Sequence, residues 1–84
     1  NGISIYPNPV RSKSTIDFNL TENNEVTVKV VDQIGQSVMV EALGKLQAGS
    51  RSYTLDASSL SSGLYFVELH VGNGVVTRKI SVTK

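Results

Sequence analysis

The side chains that could do chemistry in this sequence are few and scattered. His70 is the one histidine, and the alternation of the segment predicts that it shares a strand face with Glu68. One histidine is too few for the usual histidine-rich metal cage, and there is no cysteine to complete one. We therefore expect no metal site and no cofactor, and we interpret His70 as a half-exposed strand residue.

Hydroxyl and carboxyl groups are present in number, but no pattern assigns them a reaction. The segment from Ser58 to Ser62 is rich in serine, yet a serine nucleophile needs a positioned base and an oxyanion site. The seven Asp and Glu residues are spread over different segments, and no pair is fixed at the spacing that glycoside hydrolysis requires. The sequence predicts that the domain is not an enzyme and has no small-molecule substrate.

Aromatic rings offer a binding chemistry, because sugar faces stack on exposed rings. Tyr6 and Phe66 are the one pair that the alternation predicts to be exposed, whereas Phe18, Tyr53 and Tyr65 fall on the core-facing phase. The chain has no tryptophan. A carbohydrate-binding module is therefore an alternative that depends on Tyr6 and Phe66.

Length and charge restrict the remaining classes. The 84 residues predict one domain spanning 1–84. A formal net charge of +1 is far from the basic balance that binding to a phosphate backbone needs, so no nucleic-acid partner is expected. No apolar run approaches the roughly 20 residues that cross a bilayer, which predicts a soluble domain. Because the sequence begins with Asn1 and Gly2, we expect a piece of a longer protein.

Apolar and polar side chains alternate with period two in seven short segments, as in strands with one buried face. The segments are ISIY, STIDFNL, EVTVKVVD, QSVMVEA, RSYTLD, GLYFVELHV and VVTRKISVTK. Pro7 and Pro9 should end or bend the first strand. Gly35 and the pair Asn73 and Gly74 are hairpin signals, so the third and fourth strands should pair, as should the sixth and seventh.

These elements predict an all-β fold, a seven-stranded antiparallel immunoglobulin-like β-sandwich with Greek-key topology. Leu60, Gly63 and Tyr65 have the spacing of a tyrosine corner, in which a tyrosine near the start of the sixth strand hydrogen-bonds the backbone just upstream.

The last strand has two interpretations that the residues alone leave open. Arg78, Lys79 and Lys84 alternate with hydroxyl and apolar side chains, and charges on an edge strand ordinarily prevent aggregation. An edge with unpaired backbone groups and fixed charges also suits recognition by strand addition.

The ordered motifs YPNPV, DQIGQ, LQAGS, LDASSLSSGLYFVEL and TRKISVTK resemble the C-terminal sorting domains of the type IX (Por) secretion system, over essentially the whole chain. The resemblance implies a signal domain that carries a covalently fused upstream cargo through the periplasm and an outer-membrane translocon of a Gram-negative bacterium. The partners implied are the translocon, its shuttle proteins and a cell-surface sortase of the cysteine-protease type. The sortase usually removes the domain, and the cargo is released or attached to surface lipopolysaccharide.

Carried over by position, the motif residues with a mainly structural role are Pro7, Asn8, Pro9, Gly35, Leu60, Gly63 and Tyr65. Recognition by the translocon is expected at the last strand, in Thr77, Arg78, Lys79, Ile80, Ser81, Val82, Thr83 and Lys84. We expect the cleavage junction at or upstream of Asn1 and a stop codon after Lys84. The alternative is a fibronectin-like spacer or a sugar-binding module of a multidomain secreted enzyme.

Overall fold

Seven β-strands make up most of the domain. The computed structural model describes residues 3–84. The strands are β1 (Ile3–Tyr6), β2 (Lys13–Leu20), β3 (Asn24–Asp32), β4 (Ser37–Leu46), β5 (Gly49–Asp56), β6 (Gly63–Val71) and β7 (Gly74–Val82). Over this range there is no helix long and apolar enough to span a membrane.

The strands form two antiparallel sheets that pack face to face. One sheet has the order β1-β2-β5 and the other β4-β3-β6-β7. The β3–β4 and β6–β7 hairpins are present as predicted. β2 and β5 belong to one sheet, whereas β3, β4 and β6 belong to the other. The β2–β3, β4–β5 and β5–β6 connections therefore cross from one sheet to the other. The predicted immunoglobulin-like sandwich with Greek-key connections is confirmed.

Alternation along the strands builds the core. The inward side chains of β2, β3 and β6 are buried, while their neighbours in sequence are half-buried or exposed. Burial of this apolar surface is the main favourable contribution to folding, at about 25 cal/mol per Å². The buried apolar residues are Val10, Ile16, Phe18, Leu20, Val26, Val28, Val30, Leu55, Ala57, Leu60, Tyr65, Val67, Leu69, Ile80 and Val82.

The two hairpins are closed by different turn chemistry. In the β3–β4 turn, Oδ1 of Asp32 accepts hydrogen bonds from the amides of Ile34 and Gln36 at 3.0 and 2.9 Å, and Gly35 has the predicted positive φ of 89°. The β6–β7 loop is one position earlier than the sequence predicted. Its central residues are Gly72 and Asn73, because Val71 pairs directly with Gly74, and Gly72 takes the positive φ of 56°.

The chain leaves the first sheet after β1 and joins the second. β1 ends at Tyr6, immediately before the two prolines, as predicted. Val10 then forms an isolated parallel bridge with Val82 of β7, and its side chain is 0% exposed. The buried hydroxyl of Ser14 donates to the carbonyl of Pro7 at 3.1 Å. The segment Asn8–Val10 therefore belongs with the four-stranded sheet.

The tyrosine corner is confirmed. The Tyr65 hydroxyl donates to the carbonyl of Ser61 at 2.8 Å, and the ring is buried beside Leu60 in the core. This bond ties the start of β6 to the crossover loop from β5. The corner therefore fixes the connection between the two sheets.

Candidate recognition surface

β7 is an edge strand of the four-stranded sheet, as the recognition hypothesis requires. By strand alternation, Arg78 lies on the same face of β7 as the buried Ile80. It is nevertheless exposed, because β7 is at the edge of the sheet. Its Nη1 donates to the carbonyl of Thr77 at 3.0 Å. Lys79 lies on the outer face and is also exposed. The two cations therefore project from adjacent positions of one edge.

The segment Asn8–Val10 covers the second half of the β7 edge. The Val10 amide donates to the carbonyl of Ser81 at 2.7 Å, and the Thr83 amide donates to the carbonyl of Val10 at 2.9 Å. The Asn8 side chain extends this contact, since its Oδ1 accepts from the Ser81 amide at 3.1 Å and its Nδ2 lies 3.5 Å from the carbonyl of Lys79. The outward backbone groups of β7 from the Lys79 carbonyl to the Thr83 amide are therefore already bonded within the domain.

Lys84 is held by the crossover loop between β5 and β6. Its Nζ donates to the carbonyls of Ala57 and Ser58 at 2.9 and 3.1 Å, and its backbone amide donates to the Ser62 hydroxyl at 3.0 Å. Charge-assisted hydrogen bonds of this kind are stronger than neutral ones. Lys84 therefore has a structural role that the sequence did not indicate.

Asp56, the last residue of β5, lies beside this loop, and its pKa depends in part on the charge of Lys84. The hydroxyl and amide of Ser58 both donate to Asp56, and the positive charges of Lys13 and Lys84 add to their effect. Together they hold the pKa of Asp56 below its ordinary value of 3.8. The turn after β5 is thus arranged around one ionised aspartate and one lysine.

The first half of the β7 edge, Gly74–Arg78, differs from the second half in its backbone hydrogen bonds. The outward bonds of Lys79 and Ser81 show which residues of β7 direct their backbone groups away from β6. Because this direction alternates along a strand, Val75 and Thr77 point their N–H groups the same way. Within residues 3–84 no hydrogen bond reaches either of these amides. Apart from the Thr77 carbonyl, which accepts from Arg78, the segment Gly74–Arg78 is therefore a free edge in the part of the chain that the structure describes.

A cleft opens beside this free edge. It has a volume of about 320 Å³ and lies between the start of β1 and the start of β7, at the end of the sandwich where β2 and β6 finish. Ile3 and Val76 line it as half-buried apolar residues, and Leu20 and Leu69 are the buried apolar residues behind them. Val75 borders the cleft, but its side chain lies on the outer face of the sheet next to His70. Glu22 contributes a carboxylate. The cleft is large enough for one or two apolar side chains.

The residues predicted for recognition do not form one surface. Thr77, Arg78 and Lys79 are exposed, whereas Ile80 and Val82 are buried in the core. Ser81 and Thr83 bond the Asn8–Val10 segment, and Lys84 bonds the crossover loop. The burial of Val10 was not predictable, because a single apolar residue after two prolines has no periodicity that signals burial.

The other candidate sites remain isolated side chains. Nε2 of His70 lies 2.9 Å from Oε1 of Glu68, and both are partly exposed, as the strand pattern predicted for His70. Residues 3–84 hold no cluster of three or more metal-ligating side chains. Tyr6 lies on the outer face of the three-stranded sheet, where its hydroxyl bonds Asp17, while Phe66 faces outward from the other sheet. The two rings therefore do not form one sugar-stacking platform.

The comparison with protein families agrees with the fold and the motifs. A family model described as a secretion system C-terminal sorting domain matches residues 4–83, which is nearly the whole chain. A search of curated proteins found no match.

Proposed function

The chain belongs to the secretion system C-terminal sorting domains, the signals of type IX secretion, and on this premise we propose how the signal is read and removed. The exposed cations Arg78 and Lys79 on the β7 edge are contacted by the translocon or its shuttle proteins. The domain is folded during passage through the periplasm, and the fused cargo reaches the cell surface or the extracellular space. The family membership and the exposure of these two cations support the proposal.

The position of the cations favours recognition over a purely protective role. Arg78 and Lys79 are adjacent in sequence, but Arg78 lies on the core-facing side of β7 and Lys79 on its outer face. A partner at the strand edge therefore meets both charges at once. The other predicted cation, Lys84, is engaged by loop carbonyls and is better assigned to stability.

The proposal is tested by export of a reporter fused upstream of residues 1–84 in a bacterium that has the type IX machinery. Replacing both Arg78 and Lys79 by Gln should lower export about tenfold, the effect of losing roughly 1.4 kcal/mol of binding free energy. The matched control is Arg11→Gln with Lys45→Gln, which removes the same charge from exposed positions elsewhere. Equal export of the two double variants would contradict a specific role of the β7 cations.

We also propose that a cell-surface sortase of the cysteine-protease type removes the domain at a junction at or before Asn1. Support comes from the three-stranded sheet, because a protease needs an unpaired segment and Ile3–Tyr6 is paired with β2. Mass spectrometry of the released fragment should find a first residue at or upstream of Asn1. A fragment that begins inside Ile3–Lys84 would contradict this junction.

A further inference from the structure

We propose that the export machinery supplies an extended peptide segment that pairs as an added strand with Gly74–Arg78, and that this segment places an apolar side chain in the adjacent cleft and a carboxylate near Arg78 and Lys79. The inference rests on the proposed function and assigns the reading of the signal to the first half of β7. The terminal half of β7, where the sequence predicted recognition, stabilises the closed fold.

The backbone provides the first argument. Strand addition needs a row of unpaired N–H and C=O groups. Val75 offers an outward N–H and C=O, and Thr77 offers an outward N–H. The Thr77 carbonyl accepts from Nη1 of the exposed Arg78 side chain, which a partner strand would displace. The outward groups of Ser81 and Thr83 are bonded to the Asn8–Val10 segment. The β6–β7 register continues without a bulge from Gly63–Val82 to Val71–Gly74. A partner strand therefore finds a regular edge that begins at the hairpin and ends where the Asn8–Val10 segment begins.

The cleft provides the second argument. Backbone pairing alone has no sequence preference, so specificity in strand addition comes from pockets for alternate side chains. Val76 lies opposite the buried Leu69 on the core-facing side of β7, and with Ile3 it forms an apolar lining of the 320 Å³ cleft beside the free edge. An apolar side chain of the added strand would cover this surface.

The other sheet edges lack this combination. β1 has four residues, and the β3–β4 register contains two irregularities, which interrupt β4 as a template. β5 has a regular register, but its exposed side chains are polar and it does not border the cleft. Arg78 and Lys79 place two adjacent cations on the β7 edge, whereas β4 and β5 carry one cation each, Lys45 and Arg51. The paired charges match a partner segment that carries a carboxylate.

Thr77→Pro tests the backbone pairing, because proline removes the outward N–H while the bonds between β7 and β6 remain possible. Thr77→Val keeps the N–H and is the side-chain control. Thr54→Pro places proline on the edge strand β5 of the other sheet, where the bond between Ala57 and Ser12 indicates that even-numbered residues point outward. The reporter fusion should lose export about tenfold or more with Thr77→Pro and retain it with both controls.

Val76→Glu tests the cleft, since a carboxylate at this half-buried, core-facing position opposes an apolar side chain of the partner. The control is Val40→Glu, which adds the same charge at a side chain 61% exposed on the opposite edge strand of the sheet. Export should fall with Val76→Glu and remain with Val40→Glu. Each purified variant is first required to show the urea midpoint of a folded domain, so that lost export is not lost folding.

The outcomes separate the two proposals. If the unchanged fusion is exported and Thr77→Pro is exported equally well, strand addition at Gly74–Arg78 is wrong while the sorting function stands. If the Arg78 and Lys79 double variant loses export but both Thr77→Pro and Val76→Glu keep it, the charges are read without strand pairing and the inference again fails. If the unchanged fusion is not exported, the proposed function itself fails.

Discussion

Asn8 and Ser81 are 73 positions apart, yet Oδ1 of Asn8 accepts a hydrogen bond from the Ser81 amide at 3.1 Å. This contact joins two motifs that look independent in the sequence, the proline-rich opening and the basic last strand. Together with the Val10–Val82 bridge, it makes them one structural unit. The opening motif therefore supports the strand that is proposed to be read.

Replacing Asn8 by Ala should lower the free energy of unfolding by about 0.5 to 1.5 kcal/mol, because the Ser81 amide loses its acceptor. Urea denaturation followed by circular dichroism measures the change. Asn19→Ala is the control, since the side chain of Asn19 is exposed on β2 and forms no hydrogen bond with residues 3–84. Equal midpoints for the two variants would show that the Asn8 contact contributes nothing.

Tyr65→Phe should destabilise the domain by about 1 to 2 kcal/mol, because the hydroxyl that bonds the Ser61 carbonyl is lost while the ring stays in the core. Tyr53→Phe removes a hydroxyl from a half-buried ring that makes no such bond in the described structure, and it should change the midpoint little. Thermal and urea unfolding of both variants provides the comparison. A larger effect at Tyr53 would overturn the assignment of the corner.

Gly72→Ala should destabilise the β6–β7 hairpin by about 1 kcal/mol or more, because a side chain is unfavourable at positive φ. The φ of Gly72 is 56°, and a Cβ would meet Oδ1 of Asn24 at 2.8 Å. Gly74→Ala is the matched control, since its nearest contact would be an ordinary 3.5 Å from the carbonyl of Val71. If Gly74→Ala proved the more harmful substitution, the turn would instead be centred on Asn73 and Gly74.

Acid should weaken the domain partly through Asp17. The hydroxyls of Ser52 and Tyr6 donate to this carboxylate and lower its pKa from the ordinary value of 3.8. A lowered pKa in the folded state stabilises the fold above the unfolded value, and this contribution is lost as the pH falls from there through the folded pKa. Urea midpoints at about pH 6 and pH 3 should differ less for Asp17→Asn than for the unchanged protein. An unaltered pH dependence would exclude Asp17 as a contributor.

The strands and the core could be predicted because each depends on a local pattern. The alternation in β2 and β3 placed Phe18 and Val28 inside, and the structure has both buried. The corner was predictable for a similar reason, since Tyr65 bonds the carbonyl of Ser61 only four positions upstream.

The recognition edge could not be predicted in the same way, because its shape depends on contacts between distant parts of the chain. Nothing in the sequence near Val10 indicates that its backbone occupies half of the β7 edge. Lys84 resembled a free cation, and its contacts with the carbonyls of Ala57 and Ser58 arise only when the crossover loop folds against the end of β7. The hairpin position differed by one residue because either glycine beside Asn73 can supply a turn.

The bridge between Val10 and Val82 also has a consequence for biosynthesis. The opening segment has no partner until residues near position 82 have been made, since its backbone bonds go to Ser81 and Thr83. A chain that ends before these residues leaves the Asn8–Val10 segment unpaired. Synthesis must therefore reach the end of β7 before the domain can close, so a product truncated upstream of that point does not present a finished signal.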